Sequence, residues 1–341
     1  MGNGIGGGSP LEDALAAHRL PPAPPSPWRA LDHATLVGTY QGALDEVRWG
    51  YEGGWLRSQV RRAVYRRRWF EIVLVTFDRV LVLCLRDEGT SGALWLATDG
   101  VQEHLLARPL RSLAVGAFAG EGCEALVRVP DGRCSLRREP GDSAWTLELA
   151  TEAVEGTLRL ETVGGPAPVT IIGERAHRRP TLTSHWTCLP TTGRLRIDGV
   201  EVDLDGALAS LEYTNAFHEG LPTWRTVLGT GRTAGRAPFA LAVGSGERNA
   251  GQHEAAVWLD GEVVASEPVG IWRREGSWRL EGSGWDVRFT AVDVTREPVR
   301  RPFGTTGVSR WVGAFEGLVP GPTGLLDVTG ARGICALHGS V

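Results

Sequence analysis

The stretch Arg194–Leu204 reads RLRIDGVEVDL. Leu195 and Ile197 alternate with arginines, Asp198-Gly199 follows, and Val200 and Val202 alternate with acids. Asp-Gly between two alternating runs is the signature of a two-residue hairpin, because its turn needs a backbone that glycine adopts without strain. Folding the chain about that turn sets Ile197 opposite Val200 and Leu195 opposite Val202. All four apolar side chains then share one face, so turn and pattern agree.

The same device recurs along the chain. AAVWLDGEVVA turns about Asp260-Gly261. SWRLEGSGWDVRFTAV turns within Gly282–Gly284 and offers Trp278, Leu280, Trp285, Val287 and Phe289 as inward positions. Trp145, Leu147 and Leu149 alternate in SAWTLELAT, as do Leu158 and Leu160 in TLRLETV. The run Glu71–Leu85, EIVLVTFDRVLVLCL, is almost continuously apolar and reads as two buried strands about Asp78-Arg79. Helix signals are poor: 46 glycines and 20 prolines punctuate short segments, at the spacing of about eight to twelve residues found in sandwiches and barrels. Closed barrels suit strands with one apolar and one arginine-rich face, since closure removes exposed edges. The strands are too many for one small barrel. The proline-rich stretch Gly164–Pro180 reads as the crossing between two. The expected division is a disordered tail over 1–27, an N-terminal barrel over 28–170 and a C-terminal barrel over 171–341.

Composition narrows the function. The 341 residues are 42% hydrophobic and 22% charged, as in ordinary globular proteins. A net charge of −4 argues against nucleic acid or an anionic membrane surface as partner. Every basic residue is arginine. Thirteen tryptophans against four tyrosines suit either barrel cores or the lining of apolar ligand cavities. No run of about eighteen apolar residues offers a membrane span, and MGNGIGGGSP lacks the features of a secretory signal. Five scattered cysteines with no CxxC pair read as free thiols in a reducing compartment, the cytoplasm. If Asp131-Gly132 is a two-residue turn, Cys123 faces Pro140 rather than Cys134, which leaves no cross-strand disulfide there.

Several segments resemble a known family in order and content: RRRWFEIVLVTFDRVLVLCLRD, PTLTSHWTCLPTTGRLRIDGVEVDLDG, ASLEYTNAFHEGLPTWRTVLGTG and EAAVWLDGEVV. Over roughly residues 30–341 the chain resembles a bacterial family of uncharacterised proteins, domain of unknown function 2804. That family is distantly similar to the carotenoid 1,2-hydratase superfamily. The resemblance implies an all-β fold of two tandem, calycin-like lipocalin barrels with little helix. It also implies a hydrophobic, terpenoid- or polyene-like ligand and no cofactor. The reactions implied are hydration, isomerisation or cyclisation, the last including pericyclic cyclisation, so the enzyme would be a lyase or an isomerase. His185 stands where relatives usually carry a lysine.

The residues with chemistry to offer concentrate in YTNAFHEGLPTWR, Tyr213–Arg225. His218, Glu219 and Tyr213 are the candidate catalytic residues. An imidazole donates or accepts a proton near neutrality, and a carboxyl group against tryptophan becomes a useful general acid. Trp224, Arg225, His185, Trp186 and Asn215 are the candidate substrate-binding residues, the indole faces offering stabilisation to a carbocation formed by alkene protonation. The bland reading puts Tyr213 and Trp224 in the core and Glu219 in solvent. A second mixture of acids and aromatics, Ala43–Trp55, reads as a surface strand. RRAVYRRRW, Arg61–Trp69, reads as a solvated rim. His185 and Cys188 have a His-x-x-Cys spacing that is too little for zinc alone, so no metal is assigned. Three functions compete: a cofactor-free enzyme on an apolar unsaturated substrate, a non-catalytic carrier of a hydrophobic ligand, and a structural protein without a cavity.

Overall fold

The computed structural model describes residues 20–24, 28–29, 37–43, 47–48, 66–87, 92–98, 101–107, 113–115, 123–129, 132–138, 143–175, 179–217, 223–246, 254–274, 276–301 and 304–339. The described residues contain strands and no helix. Two large antiparallel sheets, each curled into a half-barrel, make up the tandem lipocalin-like architecture.

The first sheet begins with a meander of Arg66–Val75, Val80–Asp87, Gly92–Thr98 and Val101–Ala107. On its other side Arg66–Val75 pairs with Leu208–Phe217, which pairs with the 19-residue strand Arg179–Ile197. Val154–Glu161, Ala144–Ala150, Gly132–Arg138, Cys123–Val129 and Leu113–Val115 complete the order. Curling brings Val101–Ala107 against Cys123–Val129, and the Ala153 N–H donates to Glu103 Oε1 at 2.9 Å across the closure.

Arg179–Ile197 serves two neighbours because it bends. A bulge between Trp186 and Leu189 puts Cys188 at φ 54°, an uncommon conformation for a residue with a side chain. Before the bulge the even-numbered Leu182 and Trp186 face the barrel interior; after it the odd-numbered Leu189, Leu195 and Ile197 do. One inserted residue therefore keeps both halves of the strand packed on the same core. Beyond the bend Gly193, at φ 124°, lies so close to the partner strand that a Cβ there would sit 2.1 Å from the Thr157 carbonyl oxygen.

The second sheet runs Glu262–Ala265, Glu254–Leu259, Pro238–Gly246, Trp224–Arg232, Arg332–Gly339, Gly304–Gly321, Trp285–Arg301, Ser277–Gly282, Gly270–Arg274. Its spine is the long hairpin Trp285–Arg301/Gly304–Gly321.

Three apolar layers result. Phe70, Ile72, Leu83, Trp145 and Leu158 fill the first barrel. Trp278, Val287, Phe289 and Phe315 fill the second. Trp69, Val73, Cys84, Trp95, Ala242, Trp258 and Ile334 form a layer between the sheets. Alternate residues of Trp69–Val75 thus face two different apolar environments, which is why this stretch is apolar at every position but Glu71.

The Asp198-Gly199 and Asp260-Gly261 turns close as expected, with Ile197 opposite Val200 and Leu259 opposite Glu262. All four turn residues have positive φ, as type I′ turns require. Val200 is 59% exposed, because the hairpin tip projects past the core. The five inward positions from Trp278 to Phe289 are all buried. Several expectations need correction. Val169–Arg175 and Arg179–Ile197 both pair within the first sheet, so Gly164–Pro180 is no crossing. The chain leaves the first sheet after Phe217 and enters the second at Trp224, not at 170/171. Val75 faces Val80, so that turn centres on Phe77-Asp78. Gly132 faces Val129, which sets Cys123 opposite Arg138 and Cys134 opposite Val127. Within the expected tail, Leu20–Pro24 is held by backbone hydrogen bonds between Gln41 and both Pro21 and Ala23, each 2.8 Å.

Candidate active site between the sheets

Antiparallel pairing lines up one row of side chains across the first sheet, on the face turned to the second: Val169, His185, Glu212, Glu71, Cys84 and Trp95. Besides the Cys84 thiol, three of these are ionisable and buried, with His185 at 4% exposure and Glu212 and Glu71 at 2% each. Burying such groups unpaired is costly, and the structure shows how they are matched.

His185 Nδ1 lies 3.8 Å from Glu212 Oε2. The Trp69 indole N–H donates to Glu212 Oε1 at 3.1 Å, and the Thr214 hydroxyl donates to the same oxygen at 3.3 Å. One carboxylate oxygen is thus fixed by neutral donors while the other faces the imidazole. Trp258, from the second sheet, tilts over the His185 ring at a centroid distance of 6.4 Å. Trp224, also from the second sheet, stacks between Trp69 at 6.1 Å and His338 at 4.5 Å. Thr226 Oγ1 and His338 Nε2 are 3.3 Å apart.

Glu71 meets Arg310, which has 0% exposure. Arg310 donates to Glu71 Oε2 from Nε at 2.9 Å and from Nη2 at 2.5 Å, and to Glu297 Oε2 from Nη1 at 2.8 Å. Arg86 reaches the same Glu297 oxygen at 2.9 Å. The Arg310 guanidinium also lies 4.3 Å above the Trp95 ring. Burial alone would depress the guanidinium pKa, but Glu71 and then Glu297 outweigh it and raise it, so Arg310 stays charged. Burial pushes the thiols of Cys84 and Cys188 up to about 12, which keeps both neutral and poorly nucleophilic.

Of the residues expected at a site, His185 and Trp224 face this inter-sheet layer. Tyr213 and Trp186 do not. Strand alternation turns both into the first barrel, where Tyr213 packs 4.8 Å from Phe70 and Trp186 meets Trp145 edge-on at 5.7 Å. Asn215 is buried on the same side as Tyr213. Arg225 follows Trp224 on the opposite face of the strand and is exposed. His218 and Glu219 lie outside the described residues, as do most of Ala43–Trp55 and Arg61–Tyr65. Arg67 is buried and Arg68 binds Asp87, so the described part of the expected arginine rim is not simply solvated.

Sequence reasoning passed over Trp69, Glu71, Glu212, Glu297 and Arg310. A signal was present for Glu71, Glu212 and Arg310: each is a single charge inside an otherwise uncharged stretch, in WFEIVLV, LASLEYTNAF and GVSRWVGAF.

Residues 102–324 match the family model described as Domain of unknown function (DUF2804). The chain belongs to that family. No curated protein sequence matches it. Among solved structures it is similar to CghA, at 15% identity and a TM-score of 0.53 over 82% of this chain and 89% of that one. A structure of CghA with Sch210972 gives the same TM-score at 14% identity. Kievitone hydratase from Nectria haematococca matches at 12% identity and a TM-score of 0.49, over 82% of this chain and 90% of that one. The likeness to CghA agrees with the tandem lipocalin-like fold of this chain. No helix among the described residues is long and apolar enough to cross a membrane.

Proposed function

We propose that the protein is an enzyme acting on an apolar, unsaturated small molecule held between its two sheets, with His185 and Glu212 moving the proton. The observation that carries this reading is the buried imidazole–carboxylate pair, 3.8 Å apart, in a layer walled by Trp69, Trp224 and Trp258. The CghA structure with Sch210972 supports a bound compound in a protein of this fold.

The chemistry is redox-neutral. The imidazolium of His185 gives its proton to one alkene carbon. The π electrons form the new C–H bond, and the adjacent carbon becomes cationic. Indole faces stabilise that cation, and Glu212, fixed by Trp69 and Thr214, offsets the charge on the imidazole. Water attack followed by proton loss gives a hydrate, direct proton loss gives an isomer, and attack by a second alkene closes a ring whose new cation then loses a proton. In each case the proton returns to the neutral imidazole. His218 and Glu219, which follow the strand bearing Glu212 and precede the strand bearing Trp224 in the chain, are further candidates for proton transfer. Tyr213, Trp186 and Asn215 shape the barrel wall behind the pair. Cys84, Cys134, Cys188 and Cys335 are free and buried, which supports a reducing compartment, the cytoplasm.

Solvent deuterium tests this. Incubated in D₂O with farnesol, geranylgeraniol or lycopene, the wild type should place deuterium on a product carbon, read by mass spectrometry. His185→Gln should slow that by about 10²–10⁴-fold, the typical contribution of a general acid. Unimpaired deuteration by His185→Gln would falsify the assignment. Unchanged substrate retained by the wild type would instead identify a carrier.

A further inference from the structure

Glu71 is the direct cross-strand neighbour of Glu212, just as Glu212 is of His185. Directly opposed residues of antiparallel strands have Cβ atoms about 4.5–5.5 Å apart. A carboxylate beside the Glu212 carboxylate, in a layer shielded from water, acts strongly on whatever charge the pair carries. Glu71 is itself covered by a guanidinium from the other sheet, which it shares with Glu297. The charge felt by His185 is therefore composed jointly by the two sheets.

We propose that Glu71 and Arg310 are positioning residues for the His185–Glu212 pair, Arg310 screening Glu71 and so setting how readily His185 holds its proton. This rests on the proposed pairing of His185 with Glu212. It assigns to the second sheet a part in the proton chemistry of the first. A ligand or variant that parts the sheets would draw Arg310 off Glu71 and change the proton affinity of His185. The other titratable or charged groups on the facing surfaces are Cys84, Arg67 and Arg86 from the first sheet, and Glu297, Glu254 and His338 from the second.

The signs follow from Coulomb's law. Deleting a negative charge near His185 disfavours the imidazolium, so Glu71→Gln should move the His185 titration to lower pH. Deleting a positive charge favours it, so Arg310→Met should move it to higher pH. Arg310→Lys, which keeps the charge, should move it less than Arg310→Met. The readout is NMR of histidine-labelled full-length protein, with the His185 signal assigned by its loss in His185→Gln. A purely structural role would not give shifts of opposite sign from two variants of one ion pair. The proposal is overturned if both variants leave the His185 titration in place, or move it in the same direction. Should Arg310→Met fail to fold, Glu71→Gln set beside Arg310→Lys still decides: a downward shift in the first with no downward shift in the second supports the proposal, and none in the first, or an equal downward shift in both, overturns it. Glu212→Gln separates the two levels. It should give the largest downward shift, and no shift there overturns the His185–Glu212 pair as well.

Discussion

Arg310→Met removes a guanidinium that has 0% exposure and makes three hydrogen bonds to two carboxylates. Methionine keeps most of the apolar stem, so little cavity is created. The main loss is charge compensation. Glu297 retains Arg86, whereas Glu71, 2% exposed, loses its guanidinium. Removing one partner of a buried ion pair costs about 3–5 kcal/mol, because the other charge is left desolvated. At about 2 °C per kcal/mol for a chain of this size, the melting temperature should fall by about 6–10 °C. Replacing both members by apolar residues is usually near neutral, so Arg310→Met/Glu71→Met should recover most of that loss. Thermal melts followed by circular dichroism measure both variants. If Arg310→Met melts within about 2 °C of wild type, or the double variant is no better than the single, the network is not the desolvated pair described and the reasoning fails.

Trp224→Ala should cost about 3–5 kcal/mol in urea unfolding, the range for truncating a buried large aromatic, since Trp224 stacks on both Trp69 and His338. It should also weaken binding of any ligand that co-purifies. Gly193→Ala should fold poorly or not at all, because its Cβ would meet the Thr157 carbonyl at 2.1 Å; Gly199→Ala has nothing within 4 Å and should cost only about 1 kcal/mol for its positive φ. Cys84 and Cys188 have folded pKa values near 12 against 9.0. The stability this gives is fully present below pH 9 and is lost as pH climbs toward 12, since only the unfolded thiols ionise in that window. Cys84→Ala/Cys188→Ala should therefore show a shallower alkaline fall in urea midpoint than wild type.

Much of the fold was legible because hairpin chemistry is local. Asp198-Gly199 and Asp260-Gly261 each specify a turn within a few residues, and alternation then assigns a face. The division of the chain was not legible. Nothing local distinguishes the link between Phe217 and Trp224 from other breaks, while the prolines of Gly164–Pro180 suggested a crossing that long-range pairing absorbs into the first sheet. The bulge at Cys188 was hidden for a similar reason: its effect is to exchange the inward parity of a whole strand, which shows only against the partner strands. The candidate site was half legible. Counting reactive groups drew attention to Tyr213–Arg225, yet alternation sends Tyr213 and Trp224 to different layers. The stronger signal was a lone charge within an apolar strand, since such a residue needs a partner that only another sheet can supply.

The central strands of the first sheet have two buried faces, and their residues alternate between them one by one. Phe70, Ile72 and Leu74 hold a barrel together, while Trp69, Glu71 and Val73 meet the other sheet. Two inheritances are interleaved along one strand. Every second position can drift toward new ligands while those between stay constrained by packing, so relatives of this chain should diverge with a periodicity of two, conserving the scaffold and diversifying the chemistry in alternate letters of the same segment.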